Sequence, residues 1–295
     1  MHPRLDQMRI MGAWVALGVS CLAATASAPP GFYLHDGDTV VFYGDSITSQ
    51  LLYSIYTEAY VSARFPQLRV RFVHSGWSGD RVSGGAGGPI EQRLQRDVFA
   101  YRPTVVTILL GMNDGEYQPF DPQLFEKYAE GYRHIIGRIR KELPHARITL
   151  LTPSPYDDVT RPPDFDGGYD SVQVRFGDFV EELAKSEHLD LADLHTPVVA
   201  FLKAASQLPQ RDAQLQIPDR VHPAEGVHLV MAAALLRAWH APPVVTAVEI
   251  NGATGAVGRS ENATVSAVEV GTLSPGRRAT RLCHWRSTSG LRPLR

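Results

Sequence analysis

Six consecutive residues, Val105-Val106-Thr107-Ile108-Leu109-Leu110, constrain the fold more than any other stretch, because both alternating faces of the run are apolar apart from one threonine. A strand with that pattern has no side to give to water, and such strands sit in parallel sheets covered by helices on both faces. Shorter β-branched or apolar runs recur between helix-like segments along the chain, which is the pattern of repeated strand-helix units. Strands are predicted at Thr39–Tyr43, Arg69–Val73, Thr104–Leu110, Arg147–Leu151 and Leu189–Asp193. Helices are predicted at Leu51–Phe65, Ile90–Ala100, Pro122–Leu143 and Tyr169–Ser186, with a last one near Ala224–Trp239. The expected product is an open, doubly wound α/β domain over residues 30–241.

The ends of the chain read differently. Arg4 and Arg9 precede an apolar stretch from Ile10 to Leu22, followed by Ala23-Ala24-Thr25-Ala26-Ser27-Ala28. That order is a secretory signal peptide, too short for a comfortable membrane span, with cleavage expected after Ala26 and export without a stable membrane anchor as the consequence. Cys21 and Cys283 are the only cysteines, so the expected cleavage leaves one and no internal disulfide can form. Beyond Pro243, the strand-like runs Val244–Ile250 and Ala263–Val270 suggest a small β extension over 242–273. From Ser274 onward there are six arginines, no acid and no periodicity, and a disordered tail is expected over 274–295. A net charge of −2 supplies no basic footprint, so nucleic acid is not the expected partner. A small molecule or a neutral polymer is.

In an open parallel sheet, ligands bind beyond the carboxyl ends of the strands. Four chemically distinct blocks fall there or converge there. Gly44-Asp45-Ser46-Ile47 ends the first strand and puts a serine where a helix begins, a place suited to nucleophilic attack and equally to helix capping. His74-Ser75-Gly76-Trp77-Ser78-Gly79-Asp80 follows the second, where a glycine lets a backbone N–H approach a substrate oxygen or simply makes a tight turn. Gly84-Gly85-Ala86-Gly87-Gly88 lacks the spacing of a phosphate loop or a dinucleotide fingerprint. Gly111-Met112-Asn113-Asp114 closes the third strand with an amide able to stabilise an oxyanion, or with an ordinary turn. Asp219-Arg220-Val221-His222 places a carboxylate three residues before an imidazole, close enough to hold its Nδ1–H and leave Nε2 free.

Taken together and in this order, Gly44-Asp45-Ser46, Ser78-Gly79-Asp80, Gly111-Met112-Asn113-Asp114 and Asp219-Arg220-Val221-His222-Pro223 resemble the four blocks of the SGNH (GDSL-type) hydrolase superfamily. The resemblance spans about Asp38 to Trp239. It implies a three-layer α/β/α, flavodoxin-like domain and an acyl-ester hydrolase needing no metal or cofactor. Carried onto this sequence, it implies Ser46 as nucleophile, His222 as general base and then acid, and Asp219 as the residue orienting His222. The oxyanion hole is then the N–H groups of Ser46 and Gly79 with the side-chain amide of Asn113. His74 departs from the asparagine that often opens the second block.

Export and a β extension favour an acetyl or other short-chain ester on carbohydrate. Asp45, Trp77, Tyr117 and Tyr156 are the candidate substrate contacts, and Tyr169 is a further aromatic in the same loops. A lysophospholipase or lipase-type acylhydrolase, an O-acyltransferase and a non-catalytic binding module on the same fold are the alternatives. Asp157, Asp158, Asp164 and Asp166 are read as a solvated acidic face, and His228 as an ordinary helix-face residue.

Overall fold

The computed structural model describes residues 31–243, 247–251, 254–261, 263–267 and 284–287. The expected signal segment 1–26, both cysteines and most of the arginine-rich stretch lie outside the described residues. The main domain runs β1 (Thr39–Gly44), α1 (Ser46–Ser49), α2 (Leu52–Arg64), β2 (Arg71–Gly76), α3 (Ile90–Asp97), β3 (Val105–Leu109), α4 (Pro122–Glu142), β4 (Arg147–Leu151), α5 (Asp170–Ser186), β5 (Asp190–Ala192), α6 (His195–Ala205), α7 (Gln210–Gln214) and α8 (Glu225–Ala238). A two-residue ribbon, Gly84–Gly85 against Gly88–Pro89, precedes α3.

All five strands pair in parallel in the order β2-β1-β3-β4-β5, the flavodoxin-like order, with its reversal between β1 and β3. Gly44 lies opposite Gly76 on β2 and Leu109 on β3. Three chains therefore leave the sheet at one level, and the serine, glycine and asparagine blocks emerge side by side.

β1 shows why the sheet must be covered twice. Phe42 packs toward one layer, its ring 5.9 Å from Tyr53 of α2 and 6.4 Å from Trp239 at the end of α8. Its neighbour Tyr43 points the other way, under the Arg93 guanidinium of α3 at 4.7 Å. On that second side Tyr128 of α4 stacks on Phe176 of α5 at 4.3 Å, and the Tyr128 and Tyr132 hydroxyls donate to the carbonyls of Leu110 and Ile108, both at 3.1 Å. Each such side chain contributes roughly 1.5–3 kcal/mol by burial, and the Tyr128 and Tyr132 phenols keep a partner while buried. α4 starts where Asp121 accepts the Gln123 N–H at 2.7 Å and Pro122 occupies the first turn.

Where elements differ from expectation, a local cause is visible. β2 lies later than Arg69–Val73, because its pairing with β1 continues through His74 and Ser75 to Gly76. The predicted helix Leu51–Phe65 is α2, and the single turn α1 before it, to which no element was assigned, is set apart by Leu51 at φ +69°. α3 stops at Asp97, and a 3₁₀ turn over Phe99–Tyr101 ends at left-handed Arg102 before Pro103, a position where continued helix is disfavoured. α6 and α7 occupy a stretch to which no element was assigned. Beyond Pro243, Ala247–Ile250 pairs antiparallel with Val257–Glu261, and Ala263–Ala267 with His284–Ser287. The last of these strands lies inside the segment expected to be disordered; an antiparallel partner supplies the ladder that the segment's own pattern does not announce. Among the described residues no helix is long and apolar enough to cross a membrane.

Candidate active site

The serine turn is built by its neighbours. Asp45 accepts the Ile47 N–H at 2.9 Å as the N-cap of α1, so Ser46 is the first helical residue and its N–H belongs to the unpaired first turn. Asp45 is buried, which removes it from the candidate substrate contacts: it holds the turn. Burial, reinforced by the Asp114 and Asp80 carboxylates against its cap hydrogen bond, pushes its carboxyl up to about 7. α1 can rest on the end of β2 only because residue 76 is glycine; a Cβ there would meet the backbone of Ser49 and Thr48.

Ser46 Oγ stands 2.8 Å from His222 Nε2, and His222 Nδ1 stands 2.6 Å from Asp219 Oδ2. Asp219 Oδ1 accepts the N–H groups of Val221 at 3.0 Å and His222 at 2.7 Å. With a carboxylate facing Nδ1, the ring carries its proton there and presents the Nε2 lone pair to the serine. Burial raises the Asp219 carboxyl, but the His222 N–H, the imidazole and the Val221 N–H outweigh it and hold the group below its ordinary value.

Two anchors fix this loop. On one side Arg220, left-handed at φ +71°, donates to the carbonyls of Asp157 at 3.0 Å and Pro162 at 2.9 Å and pairs with Asp158 at 3.2 Å and Asp164 at 3.1 Å. Asp157 is itself buried and accepts the Thr160 N–H at 2.9 Å. Three of the four aspartates in that loop thus bind internal donors, correcting their reading as a solvated face. On the other side Gln50 donates to the Pro223 carbonyl at 3.2 Å and accepts from His228 Nε2 at 3.1 Å. His228 is fully buried, with burial and then the nearby His222 lowering it to about 4, so it is a neutral donor in the core. Its place was legible: His228, Met231, Ala232 and Leu235 follow the helical period of the buried face.

The opposite wall joins the second and third blocks. Gly79 has φ +73°, and an added Cβ there meets nothing within 4 Å, so the conformation and not space demands glycine. Among the described residues its N–H has no partner. Asn113 donates one amide hydrogen to the Asp80 carbonyl at 2.9 Å and accepts the Tyr117 hydroxyl at 2.8 Å, keeping its second hydrogen free. Val82 N–H reaches Asp114 Oδ1 at 3.0 Å, a second rung between the same loops. Beneath them lies Arg93, fully buried, paired with Asp80 and Asp97 and donating to the carbonyls of Gly44 at 3.2 Å and Ser75 at 3.0 Å. Burial leaves Asp80 above its ordinary value despite Arg93; at Asp97 burial is outweighed by Arg96 and Arg93, and the carboxyl falls.

His74, the departure in the second block, faces α2: it meets Ser54 Oγ at 2.7 Å and Glu58 at 3.0 Å and stacks on Phe42. Trp77, 40% exposed, lies against the Arg96 guanidinium at 4.7 Å, and Tyr117 is 42% exposed. Tyr156 is only 8% exposed and donates to Asp164 at 2.9 Å, and Tyr169 is buried and donates to the Met112 carbonyl at 2.7 Å. Both are packing residues, which removes Tyr156 from the candidate substrate contacts. A groove of about 590 Å³, lined by Gln50, Leu52, Pro218, Asp219, His222 and Pro223, opens beside the imidazole. Among the described residues no cluster of three His, Cys, Asp or Glu is placed to hold a metal ion. The arrangement can move a proton from a hydroxyl to an imidazole and offer N–H donors to a developing oxyanion.

Comparison with known proteins agrees with that chemistry. An acetylxylan esterase of Geobacillus stearothermophilus is 27% identical over 220 residues, 68% of this chain and 93% of the esterase. The structure of a gut microbial diltiazem-metabolizing enzyme superposes with TM-score 0.67 at 28% identity, covering 81% of this chain; the chain spans 56% of that enzyme's length. A crystal structure of the Geobacillus acetylxylan esterase shares the fold at TM-score 0.57, with 23% identity, over 70% of this chain and 96% of the esterase. The model of the GDSL-like Lipase/Acylhydrolase family matches residues 42–228, which holds all four blocks, and the chain belongs to that family as an ester hydrolase of the SGNH type.

Proposed function

We propose that this ester hydrolase is an exported serine esterase that removes short acyl groups, chiefly acetyl, from carbohydrate. The observation that carries the catalytic part is the relay from Ser46 Oγ through His222, at 2.8 Å and 2.6 Å, to Asp219. His222 Nε2 takes the Ser46 proton as Oγ attacks the acyl carbon, and the carbonyl oxygen becomes an oxyanion bound by the N–H groups of Ser46 and Gly79 and by Asn113 Nδ2. The C–O bond to the alcohol breaks as His222 returns the proton to that oxygen, leaving an acyl-serine. Water then attacks the acyl carbon, giving His222 a proton, and the C–Oγ bond breaks as His222 returns that proton to Oγ, releasing the acid and free Ser46.

The sugar-ester preference is supported by similarity to an acetylxylan esterase and by a groove that is open beside His222. Export is supported by the arginines and apolar stretch of residues 4–22. N-terminal sequencing of protein from a secreting host is expected to begin at Ser27.

The test of function compares p-nitrophenyl acetate, a long-chain p-nitrophenyl ester and acetylated xylo-oligosaccharides, using the protein and Ser46→Ala. Acetate release from the oligosaccharides that vanishes in the variant is the expected result. Preference for the long ester would replace the carbohydrate assignment with a lipase-type one. A folded protein that neither hydrolyses these esters nor reacts at Ser46 with a fluorophosphonate would end the serine-esterase proposal.

A further inference from the structure

We propose that Tyr117 is a positioning residue for the oxyanion hole, its hydroxyl fixing and polarising the Asn113 amide. The inference rests on the oxyanion role given to Asn113 above. It gives this candidate substrate contact a different role.

The hydrogen bonds around Asn113 leave its amide one orientation. Asp80 contributes a carbonyl, which can only accept, so the group facing it at 2.9 Å is Nδ2. The oxygen then faces the Tyr117 hydroxyl at 2.8 Å, which donates to it. With one amide hydrogen committed to Asp80, the other is the one left for an oxyanion. A donor on Oδ1 draws charge along the amide and makes that remaining N–H a stronger donor, as bonds in a chain reinforce one another.

The backbone gives up favourable conformation to place this hydroxyl. Glu116 and Tyr117 are both left-handed, at φ +55° and +56°, although neither is glycine. Non-glycine residues in that region are destabilised by roughly 1–2 kcal/mol each, and such strain concentrates where function demands a geometry. Neighbours hold the turn. Glu116 pairs with Arg81 at 2.8 Å, and its N–H reaches the Asn113 carbonyl at 3.3 Å. The Tyr117 ring lies 5.0 Å from Tyr169, whose hydroxyl holds the Met112 carbonyl beside Asn113. Burial, with Asp45 and Asp219 adding to it, raises the Tyr117 phenol to about 12, so it stays a donor at any working pH.

Steady-state hydrolysis of p-nitrophenyl acetate by the protein, Tyr117→Phe, Asn113→Ala and the double variant tests this, with melting temperature as a control on folding. Tyr117→Phe keeps the ring and its packing, and kcat is expected to fall about five- to tenfold, with KM within about twofold. Asn113→Ala is expected to lose about 10²- to 10³-fold in kcat, and adding Tyr117→Phe to it is expected to change nothing more. A Tyr117→Phe effect that persists undiminished without Asn113, or that falls on KM alone, overturns the positioning role. So does a neutral Tyr117→Phe beside a damaging Asn113→Ala, which leaves the oxyanion assignment standing. A neutral Asn113→Ala removes both together.

Discussion

Asp219→Asn probes how the His222 ring is held. Oδ1 of Asp219 already accepts two backbone N–H groups, at 3.0 Å and 2.7 Å, while Oδ2 accepts Nδ1–H at 2.6 Å. Asparagine has one side-chain oxygen and cannot serve both sets of donors. If the oxygen stays on the backbone, the NH₂ turns to Nδ1 and drives the ring proton to Nε2, the atom that receives the Ser46 proton in the proposed mechanism. If the oxygen turns to Nδ1, the useful tautomer returns but two solvent-exposed backbone donors lose their acceptor, at about 1–2 kcal/mol each. The useful state therefore lies about 2–4 kcal/mol above the idle one, roughly a 30- to 1000-fold depletion. Losing the carboxylate beside the imidazolium adds about 2 kcal/mol at the high effective dielectric of a side chain that is 56% exposed. The sum predicts a kcat on p-nitrophenyl acetate about 10³- to 10⁴-fold below that of the protein with KM nearly unchanged, since asparagine keeps the size of the groove wall that Asp219 forms. Asp219→Ala, with no NH₂ to turn the ring, is expected to lose less. Retention of more than about a tenth of kcat by the asparagine variant, or an alanine variant that is worse, would refute the tautomer argument.

Three further outcomes are expected. Burial raises both Asp45 and Asp114 to about 7, so the folded state holds protons that the unfolded chain releases near 4, and stability falls as pH rises from about 4 through about 7. Asp114→Asn, which keeps an acceptor for the Val82 N–H, is expected to flatten that decline by about 1–3 kcal/mol in urea unfolding at pH 5 and pH 8; an unchanged slope counts against it. Arg93→Lys cannot span two carboxylates and two carbonyls, and a loss of about 3–5 kcal/mol in denaturant unfolding is expected, against less than about 1 kcal/mol if the cluster is dispensable. Gln50→Ala removes the bridge from His228 to Pro223; a kcat reduced about three- to tenfold with about 1–2 kcal/mol of lost stability is expected, and full activity would show that Arg220 alone holds the loop.

The strand pattern exposed the sheet because burial on both faces leaves a continuous apolar run, as in Val105–Leu109. The serine, glycine, asparagine and histidine blocks were legible because each sits at an element's edge and carries a chemically distinct side chain. What stayed hidden depends on partners distant in the chain. Nothing local shows that Arg220 will collect the acidic loop, that Asp45 will be buried, or that Tyr156 will be enclosed while Tyr117 is left half open. His228 was the exception, since its helical period matched the buried face. The strand at His284–Ser287 is of the first kind, defined by the edge it pairs with.

The relay couples residues separated by 176 positions: Ser46 follows the first strand, while His222 arrives just before the last helix of the domain. A ribosome releases the serine long before the histidine, so the nascent protein carries an unactivated hydroxyl until α8 docks against α2 and the Gln50 bridge closes. In the proposed mechanism, ester cleavage therefore requires the whole domain to be assembled.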